Sequence, residues 1–209
     1  MNRCLLLVVF LVASPVLAGE AYLLPPDARV AAKTQEEWSR EWWQWAGSFQ
    51  SNASPVADQS GALCTSGQQG DVWFLAGTYD TGRTIRTCTV PRGKYLFFPL
   101  VNYMVMPREN ALATCEDMAR KAARITEGAQ RLVLEIDGHL YADLLQHRLP
   151  TSECFDLGAR ATPPLRVFPT AGNGYYVMLR PLPPGKHVIN FGGILPSLLQ
   201  AVTYTLIVE

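Results

Sequence analysis

The sequence predicts a mainly β protein: an antiparallel β-sandwich of the Ig-like or jelly-roll-like kind, with two α-helices packed on it. Three observations carry that expectation. Fifteen prolines and sixteen glycines are scattered through the 209 residues and cut the chain into short apolar runs of strand length. Helical periodicity is confined to two stretches, one ahead of the strand-like runs and one among them. Four cysteines, Cys64, Cys88, Cys115 and Cys154, follow an export-type leader, and an even count in an oxidising compartment predicts two disulfides.

The leader comes first. Arg3 gives a positive start, residues 5–12 an apolar stretch, and Val16-Leu17-Ala18 a small-residue cleavage site, so residues 1–18 read as a signal peptide. Cys4 precedes the apolar stretch, which argues against lipid attachment there, and no later run of about 18 apolar residues could serve as a transmembrane anchor. The expected location is periplasmic or secreted. Cleavage leaves about 190 residues, 19–209, enough for one β-rich globular domain.

The first helix is expected over about 34–50. Thr34 and Glu37 stand three apart in a capping-box pattern, after which EEWSREWWQW holds four of the five tryptophans. Trp38, Trp42, Trp45 and Phe49 fall on one stripe and are expected to face the core. The acidic residues Glu36, Glu37 and Glu41 outnumber Arg40, the reverse of a membrane-surface helix. Trp43 points about 100° away from Trp42. That leaves it either to pack beneath a neighbouring loop or to stack on a ligand.

Strands follow. Residues 72–76 form a continuous apolar run expected to be buried on both faces. Residues 84–90 alternate, as a strand with one wet face does. Residues 95–106 are apolar again but contain Pro99, which cannot donate to a ladder and marks an edge or a bulge. Cys64 and Cys88 flank this strand pair, which favours the pairing Cys64–Cys88 and hence Cys115–Cys154. A zinc site lacks the Cys-x-x-Cys spacing it would need.

The tryptophan-rich helix, VWFLAGT at 72–78, CTVPRGK at 88–94, FFP at 97–99 and PLPPGKHVINFGG at 181–193 followed by VTYTLIV together resemble a family of bacterial exported proteins. The resemblance covers most of the mature chain. It implies export and a shared fold, and it implies no activity and no catalytic residues.

The second helix is expected to start at Thr114, with Met118, Ala122 and Ile125 on one face, and to end near Gly128. Leu132, Leu134 and Ile136 then alternate into Asp137-Gly138, the residues that a type I′ hairpin demands. Residues 175–179, 188–191 and 202–208 complete about eight strands, with Tyr204, Leu206 and Val208 alternating inward.

Chemistry is sparse. The full chain balances 18 basic against 18 acidic side chains, so no charge excess attracts nucleic acid. No nucleophile elbow, zinc-helix motif, phosphate loop or calcium loop is present, and no cofactor is implied. Of the three histidines, His139 and His187 read as turn positions. Asn102 stands inside LFFPLVNYMVM and needs a partner if buried. Arg86 interrupts a strand and Glu41 borders the aromatic stripe, so a Glu41–Arg86 pair near Asn102 is the expected polar floor of an aromatic pocket. Trp43, Glu41, Arg86 and Asn102 are therefore the candidate ligand-binding residues of a non-catalytic module for a small molecule, a glycan or an envelope partner. Two other readings remain: a hydrolase pairing Glu41 with Asp58 or Asp71, and a structural subunit of an envelope assembly.

Overall fold

The computed structural model describes residues 22–108 and 112–209, so the leader expected at 1–18 lies outside the described residues. In chain order the elements are α1 (Gln35–Ala46), β1 (Val72–Phe74), β2 (Arg83–Val90), β3 (Tyr95–Val105), α2 (Cys115–Thr126), β4 (Gln130–Ile136), β5 (His139–Leu140), β6 (Arg148–Pro150), β7 (Ala171–Leu179), β8 (Gly185–Leu195) and β9 (Leu198–Val208). The strands form a four-stranded sheet ordered β1-β3-β7-β6 and a five-stranded sheet ordered β2-β9-β8-β4-β5. The protein is a mainly β sandwich. Two pairs, β1 with β3 and β2 with β9, run parallel because each joins strands whose connection passes through the opposite sheet.

The four-stranded sheet is the middle layer. Leu96 and Phe98 of β3 and Tyr175, Val177 and Leu179 of β7 face the five-stranded sheet, where Phe98 meets Phe191 with ring centroids 4.5 Å apart. Phe97, Tyr176 and Met178 face the opposite way, onto α1. Burial on both faces explains why β1 and residues 175–179 of β7 read as unbroken apolar runs. At Pro99 the register shifts, which turns Leu100 and Val101 both toward the sheet interface.

Helix α1 begins as its sequence dictates. The Glu37 amide donates to the Thr34 hydroxyl, and the Thr34 amide donates to the Glu37 carboxylate at 2.7 Å. Those bonds hold the Glu37 carboxyl below its usual range. Trp38, Trp42 and Trp45 are buried against the sheet with Phe49 partly so, which is the expected stripe. Helix α2 starts at the Thr114 cap and buries Met118, Ala122 and Thr126. The Thr126 hydroxyl donates to Asn173 Oδ1 at 2.9 Å, on the side of β7 that also carries Tyr175, so α2 extends the five-stranded layer.

Both disulfides form with the expected connectivity. Cys64–Cys88 ties the loop after α1 to β2, and Cys115–Cys154 ties the start of α2 to the loop after β6. They mark an oxidising, extracytoplasmic environment. Among the described residues no helix is long and apolar enough to cross a membrane. The Asp137-Gly138 turn has positive φ at both residues, 51° and 82°, as a type I′ hairpin requires.

Candidate functional site

The four tryptophans of α1 differ in what their indole nitrogens do. Trp38 Nε1 donates to the Val30 carbonyl at 3.0 Å, Trp42 to Leu75 at 3.0 Å and Trp45 to Ser66 at 2.9 Å. Trp43 Nε1 is buried and closes no hydrogen bond of proper geometry, although it lies near the Tyr176 hydroxyl. Its ring meets Trp42 edge-on at 5.0 Å and lies against Gly172 of β7, where a Cβ would sit 2.7 Å from Nε1. Glycine there is what lets the ring reach the sheet. With only 8% of its surface exposed, Trp43 is neither under a surface loop nor a flat stacking face; it is wedged between α1 and β7.

Asn102 is on the same face of the middle sheet. Its Nδ2 donates to the Tyr176 hydroxyl at 3.0 Å. Burial pushes the Tyr176 phenol well above its ordinary range, partly offset by that bond and by the nearby Trp43 indole N–H, so the hydroxyl stays neutral. Gly174 lies directly opposite Asn102, and a Cβ there would be 2.5 Å from the Asn102 Cβ. The two glycines of AGNGYY therefore admit the two candidate residues that face each other here.

Between them opens a cavity of about 210 Å³, lined by Trp42, Trp43, Thr78, Asn102, Met104 and Gln200 among others. Gln200 builds one end. Its Nε2 donates to the carbonyls of Pro99 at 2.8 Å and Leu100 at 2.7 Å, and its Oε1 accepts from the Thr78 amide at 3.1 Å. The side chain fills the gap where the chain after β1 departs from β3. Exposed Tyr79 and Tyr103 stand at the mouth.

The expected Glu41–Arg86 pair does not form. Glu41 pairs with Lys33, because the segment ahead of α1 folds back along the helix. Arg86 is 1% exposed and points into the protein, while its neighbour Ile85 points out. The inward placing of Cys88 and Val90 fixes that parity. Its guanidinium donates to the main-chain carbonyls of Asp58 at 2.7 Å, Ala76 at 2.8 Å, Gly77 at 2.9 Å and Val56 at 3.1 Å, and to the Tyr204 hydroxyl at 3.1 Å. Arg86 is thus a clamp beneath the cavity, and neither it nor Glu41 lines the cavity.

The carboxylates weighed for hydrolysis are committed elsewhere. Burial raises the Asp58 carboxyl, but bonds from the Leu63 and Ser60 amides outweigh it and hold the group below the usual range. Neither Asp58 nor Asp71 lines the cavity. Of the histidines, His139 is exposed, but His187 is buried and bonds Asp137 at 2.7 Å and the Pro183 carbonyl at 2.8 Å, latching two turns together instead of facing solvent. Among the described residues no cluster of His, Cys, Asp and Glu could hold a metal.

Sequence reasoning found Trp43 and Asn102 but missed Gln200, Met104 and Gly172. The signal available for the last was a pair of glycines inside an otherwise apolar strand, the mark of a close approach. No family model, no curated protein and no solved structure matches the chain.

Proposed function

We propose that the protein is an exported, non-catalytic binding module, periplasmic or secreted, whose ligand enters the cavity between Trp43 and Asn102. The observation that carries this reading is the buried indole N–H of Trp43, which closes no hydrogen bond of proper geometry in a cavity wall where Trp42 and Gln200 are satisfied. An unmet buried donor costs about 1–3 kcal/mol, so an acceptor brought by a ligand recovers free energy that the fold alone forfeits. Apolar walls with a few directional polar groups are the usual composition of a recognition site. With no carboxylate lining the cavity, bond cleavage by paired acids has no machinery there.

Trp43→Phe tests the reading, because it deletes the N–H while keeping an aromatic ring, at the loss of part of the indole's packing against Gly172. A fragment and metabolite screen read by thermal shift on mature protein should give hits that bind the parent and lose at least about tenfold, or ~1.4 kcal/mol, in the variant. Hits that bind both proteins equally would place the ligand elsewhere.

A further inference from the structure

The open edge of β3 carries a second layer of information, which rests on the cavity reading above and names the class of its occupant. Strand β1 covers β3 only at Tyr95, Leu96 and Phe97. Beyond that, Gln200 takes the carbonyls of Pro99 and Leu100, and then the cover ends.

The direction of the remaining main-chain groups follows from β7. Gly172 spends both of its main-chain groups away from β3: its carbonyl accepts from the Thr151 amide at 2.9 Å and its amide donates to Thr151 Oγ1 at 2.8 Å. Gly174, two residues on, pairs with Leu149 of β6. In an antiparallel pair, residues facing such positions sit at non-hydrogen-bonded sites, with their own N–H and C=O turned outward. The residues facing them are Met104 opposite Gly172 and Asn102 opposite Gly174. Asn102 and Met104 therefore present two N–H and two C=O groups along an uncovered edge, and both line the cavity.

The cavity's size speaks to what fills it. About 210 Å³ lies below the roughly 300–1,000 Å³ of pockets that enclose a whole small ligand. It suits one side chain of a longer molecule. With Trp43 buried edge and face, no aromatic plane is offered to a sugar ring.

The edge continues into a second groove of about 660 Å³, which shares Tyr103 and Met104 with the cavity and is lined further on by Met106, Arg108, Lys121 and Arg124. Among the described residues none of these three cations meets a carboxylate, and no acidic residue lines the groove. With Asp117 the one acidic residue among those lining the adjoining groove that Arg108 and Lys121 share, the described walls keep a positive excess that calls for an acidic partner.

We infer that the occupant is an extended acidic polypeptide segment of another protein, which adds as a strand to β3 at Asn102 and Met104, places one side chain carrying a neutral acceptor, such as Asn, Gln or Thr, in the Trp43 cavity and sets acidic residues against Lys121 and Arg124. Main-chain ladder bonds supply affinity, and alternate side chains supply selectivity. Edges left bare in this way are normally blunted by charge, proline or a covering loop. Here the blunting stops at Gln200.

The probe is a fluorescent pool of octapeptides alternating glutamate with a mixture of Asn, Gln, Thr and apolar residues, titrated against mature disulfide-bonded protein and read by anisotropy. Its controls are the same pool with lysine for glutamate, and the glutamate pool N-methylated at alternate residues. Binding by the glutamate pool, at least about tenfold weaker for each control, is the expected result. Met104→Pro removes an outward N–H that the β3–β7 ladder does not use, and should abolish binding at an unchanged melting temperature. If that variant misfolds, the N-methylated pool carries the same test on the parent protein. Lys121→Glu with Arg124→Glu should reverse the preference between the glutamate and lysine pools.

Equal binding of the N-methylated pool, or no binding by the glutamate pool, overturns strand addition. A small-molecule hit lost in Trp43→Phe but indifferent to Met104→Pro also overturns it and leaves the cavity reading standing. Peptide binding lost in Met104→Pro but untouched by Trp43→Phe keeps the edge and overturns the cavity reading.

Discussion

Replacing Arg86 by methionine keeps most of the side-chain volume and removes five hydrogen bonds, four of them to main-chain carbonyls and one to Tyr204. Each bond from a charged donor contributes roughly 1.5–3 kcal/mol net, which would sum far above what is observed for such losses, because unfolding also returns the buried cation to water and recovers its desolvation cost. Breaking buried ionic networks costs about 3–5 kcal/mol, and this is the magnitude expected for Arg86→Met. A domain of this size has about 5–15 kcal/mol in total, so the variant should fold with a much reduced margin. At a urea m-value of about 2 kcal/mol/M the midpoint falls by roughly 1.5–2.5 M with the slope unchanged. Arg86→Lys separates charge from geometry. A lysine carries the same charge, but its single nitrogen cannot serve Val56 and Asp58 on one side and Ala76 and Gly77 on the other, so it too should lose at least about 2 kcal/mol. A loss under ~1 kcal/mol for Arg86→Met would refute the clamp.

Trp42→Ala and Trp43→Ala should both cost about 3–5 kcal/mol in chemical denaturation, because both rings are buried between α1 and the middle sheet; a cost under ~1 kcal/mol for Trp43 would mean that its ring is not held against Gly172. Burial lowers the pKa of His147, which is 1% exposed and leaves Nδ1 unpartnered. The unfolded chain then binds the proton more readily than the folded one, so stability should fall as pH drops below about 6.5 and level off below the folded-state pKa. Urea titrations at several pH values should show this slope removed in His147→Leu, and parallel profiles would refute it. Mature protein denatured without reductant should show no free thiols, and reduction of either disulfide should cost roughly 3–4 kcal/mol on the chain-entropy scale.

What the sequence made legible is what local rules govern. Thr34 with Glu37 starts α1, Asp137-Gly138 turns β4 into β5, Pro99 marks a bulge, and Cys64 and Cys88 flanking a strand pair favour the disulfide pairing that forms. Each depends on neighbours within a few residues, or on a short list of combinations. The parallel pairing of β2 with β9 joins residues 83–90 to 201–208, and no local pattern marks it. Glu41 and Arg86 failed for the same reason. The helical wheel placed Glu41 beside the aromatic stripe, but its partner Lys33 comes from a strap that folds back, and Arg86 found main-chain carbonyls that no composition argument can see.

The site itself was half legible because it is a gap and not a motif. Trp43 and Asn102 stood out as residues that did not fit their surroundings: a tryptophan off the stripe and an amide in an apolar run. What joins them is the place where β1 stops after Phe74 and the departing chain is propped away from β3 by Gln200, more than a hundred residues later. Gly77 permits that approach, since a Cβ there would come within 2.2 Å of Gln200 Oε1. A larger residue at 77 would push the amide off the Pro99 and Leu100 carbonyls and close or empty the gap. The cavity thus depends on one side chain standing in for a strand. Where that substitute ends, at Asn102, the ladder of β3 is left to be completed from outside.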